Sequence, residues 1–253
     1  MKISKSLKIY FGLIALLAIF DAVYVFLPFP GVIPNAGPLP APIWVVALIN
    51  VAVAIFVYGG LGLFGYWLSL KIGFAQIWDK KVSNRQRFVV PAVIGAGLGI
   101  FLIVSDLIFA NFNGIGKFPH PPFPTSFVAS GAAGIGEEVI FRLFFVSFWV
   151  WLISFVILKR RYLNVVFWVV AIFSALVFGA GHFPSVMLIF GWTSFSQVPK
   201  VLVGEVLVLN GVVSIFAAYY FRKYGFLAAV GIHFWTDFVW HFLYGSIILS
   251  KLI

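Results

Sequence analysis

A chain of 253 residues, of which 63% are hydrophobic and 9% are charged, has too little polar surface for a soluble globular protein. Its mean hydropathy of +1.11 instead indicates a polytopic membrane protein, because apolar runs of about 20 residues, the length that crosses a bilayer, recur along the chain. The sequence contains no cysteine, which excludes a disulfide framework, a thiolate nucleophile and a cysteine-based zinc site.

The apolar runs are separated by charged or Pro- and Gly-rich breaks and predict an all-α polytopic bundle of seven membrane-spanning helices, with an eighth span as the alternative. The predicted spans are residues 7–27, 43–69, 88–110, 126–157, 163–182, 200–221 and 225–249. We interpret residues 1–253 as a single transmembrane domain in which residues 126–245 carry the informative motifs.

The net charge of +10 is explained by where the Lys and Arg residues fall between the spans. With a cytoplasmic N-terminus, most of them lie on the inside: Lys2, Lys5, Lys8, Lys71, Lys80, Lys81, Arg85, Arg87, Lys159, Arg160, Arg161, Arg222 and Lys223. The outside keeps Lys117, Lys200 and Lys251. The positive-inside rule therefore predicts a cytoplasmic N-terminus and accounts for the basic balance without a nucleic-acid partner. We expect a multi-pass protein of the cell membrane whose surroundings are bilayer lipid.

Polar features outside the motifs give three further expectations. The cation-rich connection at 69–88 favours a short amphipathic helix on the membrane surface. Asp21 and Asp106 lie near span ends, where a contact with lipid headgroups is sufficient to explain them. Glu205 lies about one turn into the sixth span without a visible partner, and the sequence leaves a structural and a functional role equally open.

The stretch "GIGEEVIFR", residues 134–142, places three ionisable side chains inside an apolar run, where each costs several kcal/mol. Glu138 and Arg142 are four residues apart with the acid first, which predicts an ion pair within one helix. Glu137 is turned by about 100° from Glu138 and is free to face another element. Intramembrane charges are commonly functional, so this stretch predicts a site.

Histidines on two later spans are candidate partners for Glu137. His182 ends the stretch "FGAGH" one turn after Phe178, and His233 opens "HFWTD", which places Asp237 one turn later on the same face. His241 continues that face, although a lone histidine in an apolar helix is more often a core residue. Helix counting puts Glu137 and His182 both ~33 Å from their shared turn, but His233 only ~15 Å from its own turn. This predicts a mismatch in depth unless the fourth and fifth helices project, tilt or break.

The stretches "EEVIFR", "FGAGH" and "HFWTD" resemble, in order and spacing, the EExxxR, FxxxH and HxxxN/D motifs of the CPBP family, also called Abi. That family comprises type II CAAX prenyl endopeptidases and bacterial relatives implicated in bacteriocin processing or immunity. The resemblance covers roughly residues 126–245, a CPBP-like catalytic core, and one departure is Leu143, where the family often has Gly. It implies an intramembrane endopeptidase acting on a prenylated or membrane-anchored peptide or protein. By position, the catalytic residues would be Glu137, His182, His233 and Asp237, supported by Glu138, Arg142 and Phe178.

Residue chemistry suggests how such a site would work. A glutamate beside a histidine can activate water, so Glu137 and His182 would take its proton, while His233 would stabilise the oxyanion or protonate the leaving amine. We expect no cofactor; the alternative is Zn²⁺ held by Glu137, His182 and His233. An ionised Asp237 can only accept a hydrogen bond, whereas an asparagine there could donate to an oxyanion.

Two other classes of function fit part of the pattern. A proton-coupled membrane transporter also places Glu, Asp and His along the interior of a helix bundle, although the sequence has no internal repeat. A bacteriocin-immunity or assembly factor could keep a protease-like fold without peptidase activity. The ordered set of three motifs favours the endopeptidase.

Overall fold

The computed structural model describes residues 3–27 and 41–249, and it confirms the predicted helical bundle. Seven helices are long and apolar enough to cross a membrane: α1 Lys5–Tyr24, α2 Ile43–Lys71, α3 Arg85–Phe109, α4 Thr125–Ile157, α5 Leu163–Phe190, α6 Lys200–Tyr224 and α7 Phe226–Ile248. The described part of the chain contains no β-strand. Lys2 and Lys251, which enter the charge argument, lie outside the described residues. The chain is therefore a multi-pass integral membrane protein.

The helix α4 lies at the centre of the bundle and contacts α1, α2, α5 and α7. Its core face follows helical spacing, because Val139, Leu143, Val146 and Val150 are all completely buried. Two stretches of α4, Val139–Val146 and Trp151–Ile157, are π-helical, as is the end of α7 from Phe238 to Ile248. The helix that carries "EEVIFR" is thus held on several sides by other spans, which fixes the direction of its polar side chains.

Close packing of α2 against α4 depends on Gly65. A Cβ atom at this position would overlap the backbone carbonyl group of Leu143. Small residues allow membrane helices to approach in this way. The missing side chain of Gly65 thus lets the backbone of α4 at Leu143 and Phe144 lie directly against α2.

We predict that Gly65→Ala destabilises the protein by about 1–3 kcal/mol, because backbone atoms cannot move aside as side chains do. Gly60→Ala, in the same helix, is the matched control, since a Cβ at Gly60 would have no neighbour within 4 Å. The comparison is made by unfolding the detergent-solubilised variants. Equal stability of the two alanine variants would contradict the close approach.

The loop between α3 and α4 folds back onto the helices and binds two of their acidic side chains. Asp106 is fully buried, and its Oδ1 accepts a hydrogen bond from the backbone N–H of Phe118 at 3.0 Å. The expected headgroup contact of Asp106 is therefore wrong, because the loop covers this side chain. Glu205 also gains a partner from the loop, since Asn113 Nδ2 donates to its Oε2 at 2.8 Å.

The predicted amphipathic helix at 69–88 is wrong for residues 72–83, which form turns and irregular structure. Arg87 explains the difference, because its Nη2 atom donates to the carbonyl groups of Asp79 and Val82 at 2.6 and 2.8 Å. Its guanidinium group also stacks on Trp78, with Cζ 3.9 Å from the ring centroid. The buried Arg87 thus collects the backbone acceptors of this connection and holds it in a compact loop.

Candidate active site

The predicted ion pair within α4 is present. Arg142 Nε lies 3.1 Å from Glu138 Oε2, and both side chains are 0% exposed. The contact lacks hydrogen-bond geometry, and the three guanidinium nitrogens have no hydrogen-bond partner among the described residues. The guanidinium carbon instead lies 4.8 Å from the centroid of the Phe178 ring, an arrangement that favours a cation–π interaction. Charge and ring contact together hold Arg142 inside the bundle.

Glu138 also contacts the histidine of the third motif. His233 Nδ1 lies 2.8 Å from Glu138 Oε1, and since a carboxylate only accepts, the imidazole is the donor. The predicted depth mismatch between α4 and α7 is therefore wrong. Part of the cause is visible in α4, where the two π-helical stretches put more residues into each turn and so shorten the distance from the turn at Arg160 to the site.

Three carboxylates surround the imidazole of His233. Its Nε2 lies 3.6 Å from Glu137 Oε2 and 3.5 Å from Asp237 Oδ2, while Nδ1 is bonded to Glu138. The exposed fractions differ: 36% for the side chain of Glu137 and 16% for Asp237, against 5% for His233 and 0% for Glu138. Of the three carboxylates around His233, Glu137 thus has the largest exposed fraction.

His182 is oriented by an interruption in α5. Pro184 has no N–H to give to the carbonyl of Ala180, and the α-helix stops at that residue. The carbonyl of Phe178, left free at the helix end, accepts a hydrogen bond from His182 Nδ1 at 2.8 Å. A carbonyl oxygen cannot donate, so Nδ1 carries the proton and Nε2 of a neutral His182 keeps its lone pair.

The ring of Phe178 separates the two motif histidines. Its centroid lies 5.0 Å from that of His182 and 5.7 Å from that of His233, with edge-to-face geometry in both cases. Asp237 in turn lies within electrostatic range of His182. Glu137 and His182 share no direct hydrogen bond among the described residues.

A second pair of histidines lies beside this group. His120, in the loop before α4, places its Nδ1 3.0 Å from His241 Nδ1. The charge of Asp237 also acts on His241, which lies one turn further along α7. Sequence reasoning did not single out His120, because its loop position gives no helical register; the only signal is that it is one of four histidines in the chain.

The residues proposed for zinc do not converge as metal ligands. Among the described residues, no group of three or more His, Asp or Glu side chains is arranged to hold a metal ion. His233 uses Nδ1 for Glu138 and directs Nε2 between two carboxylate oxygens. We therefore derive no catalytic step through a metal.

These features define a polytopic membrane protein with a buried glutamate–histidine cluster set into its membrane-spanning helices. A family model described as type II CAAX prenyl endopeptidase, Rce1-like, matches residues 119–239, and the three motifs at 137–142, 178–182 and 233–237 all fall within this segment. The resemblance inferred from the sequence is thereby confirmed, and at the level of the family the chain is similar to CAAX-type intramembrane proteases. No curated protein and no solved structure matches the chain.

Proposed function

We propose that this protein is an intramembrane endopeptidase that hydrolyses a peptide bond of a prenylated or otherwise membrane-anchored substrate, using a water molecule activated by Glu137 and His182. The observation that carries the proposal is the difference in solvent exposure between the side chains of the cluster. Glu137 and His182 are partly accessible, whereas Glu138, Arg142 and His233 are buried behind them. The accessible pair can touch substrate, and the buried group can hold the pair in place.

Glu137 and His182 are suited to act on the same water. Oε2 of Glu137 is buried toward His233, which leaves Oε1 to face the accessible side. With Nδ1 of His182 bound to the Phe178 carbonyl, Nε2 is the nitrogen able to accept a proton. The water oxygen attacks the scissile carbonyl carbon while one of these two groups takes a proton from it. That proton then passes to the leaving amine as the C–N bond breaks, so one water is consumed for each bond cleaved.

His233 has a positioning role in this scheme. Its two nitrogens face carboxylate oxygens of Glu138 on one side and of Glu137 and Asp237 on the other. The imidazole therefore fixes the distance between the catalytic carboxylate and the ion pair of Glu138 with Arg142. A catalytic side chain held by packed, bonded neighbours keeps the geometry that proton transfer requires.

The substrate assay uses the purified protein in liposomes with two peptides of the same sequence, one farnesylated at a CaaX-type cysteine and one unmodified. We expect cleavage beyond the modified cysteine, mapped by mass spectrometry, and a higher kcat/KM for the farnesylated peptide because its lipid partitions into the bilayer. Cleavage of other membrane-anchored peptides at the same rate would support the peptidase and remove the prenyl preference. No cleavage of any membrane peptide would contradict the proposal and favour the transporter or immunity-factor alternatives.

We predict that metal removal leaves the activity unchanged. The described residues do not assemble three ligands for a metal ion, and Glu137 with His182 can supply the base without one. The measurement is the cleavage rate before and after prolonged dialysis against a chelator, together with elemental analysis of the purified protein. Loss of activity that is restored by Zn²⁺ would contradict the metal-free mechanism and leave the peptidase assignment standing.

A further inference from the structure

The contact between His120 and His241 constrains the protonation of both rings. Their Nδ1 atoms are 3.0 Å apart, so one must carry a proton and the other a lone pair. His120 packs edge-to-face against Trp240 and Tyr244, with centroid distances of 4.7 and 5.7 Å. Burial, with the neighbouring His241 adding to the effect, lowers the pKa of His120 to about 3. His120 is therefore neutral under ordinary conditions.

The surroundings of the two Nε2 atoms indicate which ring donates the hydrogen bond between the Nδ1 atoms. Nε2 of His120 is buried and has no hydrogen-bond partner among the described residues. An unpaired buried N–H is rarer than an unsatisfied acceptor, so we assign Nε2 of His120 a lone pair rather than a proton. His120 then carries its proton on Nδ1 and donates to His241. His241 must in consequence carry its proton on Nε2.

A carboxylate near His241 is compatible with the same tautomer. The negative charge of Asp237, one turn earlier on α7, acts on the His241 ring, whereas the imidazoles of His182 and His233 act on it in the opposite sense. A carboxylate nearby stabilises an N–H dipole more than a lone pair. Nε2 of His241 makes no hydrogen bond within the described residues, so its proton is free for a ligand.

We propose, building on the proposed peptidase function, that His241 is a further catalytic residue whose Nε2–H donates to the oxyanion formed at the scissile carbonyl, and that His120 is the positioning residue that fixes this tautomer. Such a donor is needed because Asp237 stands where the motif also allows asparagine. An ionised aspartate cannot supply the donor that an asparagine could, and His241 lies one turn further along the same face. Preorganised donors of this kind stabilise the charge that develops in the transition state.

Amide side chains separate the two roles of the pair. The amide nitrogen of Gln lies close to the position of histidine Nε2, and that of Asn lies close to Nδ1. We expect His241→Phe to lower kcat by about 100-fold with little change in KM, and His241→Gln to recover most of that loss. His120→Phe should also lower kcat, and His120→Asn should restore it, because the Asn amide can donate to His241.

A further variant perturbs the pair without changing either histidine. A Cβ atom at Gly245 would overlap the His120 ring, so Gly245→Ala displaces His120 and should lower kcat as His120→Phe does. Unfolding in detergent shows whether each variant keeps its stability. Equal kcat for His241→Phe and wild type, or no difference between the Phe and Gln variants, would overturn the catalytic role of His241.

A spectroscopic measurement tests the tautomer independently of catalysis. In ¹⁵N NMR of histidine-labelled protein, we expect His241 to carry its proton on Nε2 in the wild type and to become a tautomer mixture in His120→Phe. A proton on Nδ1 of His241 in an active protein would overturn this inference alone. A protein that cleaves no membrane peptide would overturn the proposed function, and the ¹⁵N shifts would still report the pairing of the two rings.

Discussion

Replacing Glu137 by glutamine is expected to lower kcat for peptide cleavage by about 10²- to 10⁴-fold, the range that positioned general bases contribute. The amide keeps the size of the side chain and can keep its oxygen beside His233, whose Nε2 lies 3.6 Å from Glu137 Oε2 in the native protein. It cannot take a proton from water. Substrate binding and stability should therefore be largely retained, and the loss should appear in kcat with KM little changed.

Glu205→Gln is the matched control for this variant. Glu205 is also a glutamate in a membrane-spanning helix, but it is fully buried, it lies in α6, and its partner is Asn113 of the loop between α3 and α4. A glutamine oxygen can accept the same bond from Asn113, so activity should remain near that of the wild type. Wild-type kcat in Glu137→Gln would contradict the proposed base. Equal loss in both variants would indicate a general response to neutralising an acid in the membrane-spanning helices rather than a catalytic role for Glu137.

The local parts of the site could be predicted from the sequence because they depend on helical periodicity alone. The Glu138–Arg142 pair and the shared face of His233 and Asp237 are separations of four residues within single helices, and both are present. The seven spans are also present, because apolar length is a local property, and their ends lie close to those predicted except in α5, which continues past residue 182 to Phe190. Regular helix geometry is the only assumption that these predictions need.

Contacts between distant elements could not be predicted in the same way. Counting residues from the turns assumed a constant rise, and the π-helical stretches of α4 depart from it before Glu138 meets His233. The folding of the loop between α3 and α4 onto Asp106 and Glu205 likewise depends on tertiary packing. His120 belongs to this loop, and nothing in its own neighbourhood in the chain indicates that it meets His241.

Replacing Arg142 by methionine is expected to destabilise the protein by about 3–5 kcal/mol, because the change leaves the buried Glu138 without its counter-charge. Both side chains are 0% exposed, so water cannot replace the missing guanidinium group. Methionine fills much of the arginine stem's volume and keeps an apolar contact with Phe178. The loss should thus reflect charge more than packing, and it is measured as the free energy of unfolding in mixed detergent micelles.

The double variant Glu138→Gln with Arg142→Met distinguishes a lost charge pair from a lost packing contact. It removes both charges, and the glutamine oxygen can still accept the hydrogen bond that His233 Nδ1 gives to Glu138 at 2.8 Å. We expect the double variant to be more stable than Arg142→Met alone, because a neutral pair carries no uncompensated buried charge. A double variant as unstable as Arg142→Met would show that the guanidinium group acts mainly through its contact with Phe178. If stability returns while kcat stays low, the ion pair serves to position Glu137 through His233, in addition to compensating the charge of Glu138 inside the membrane.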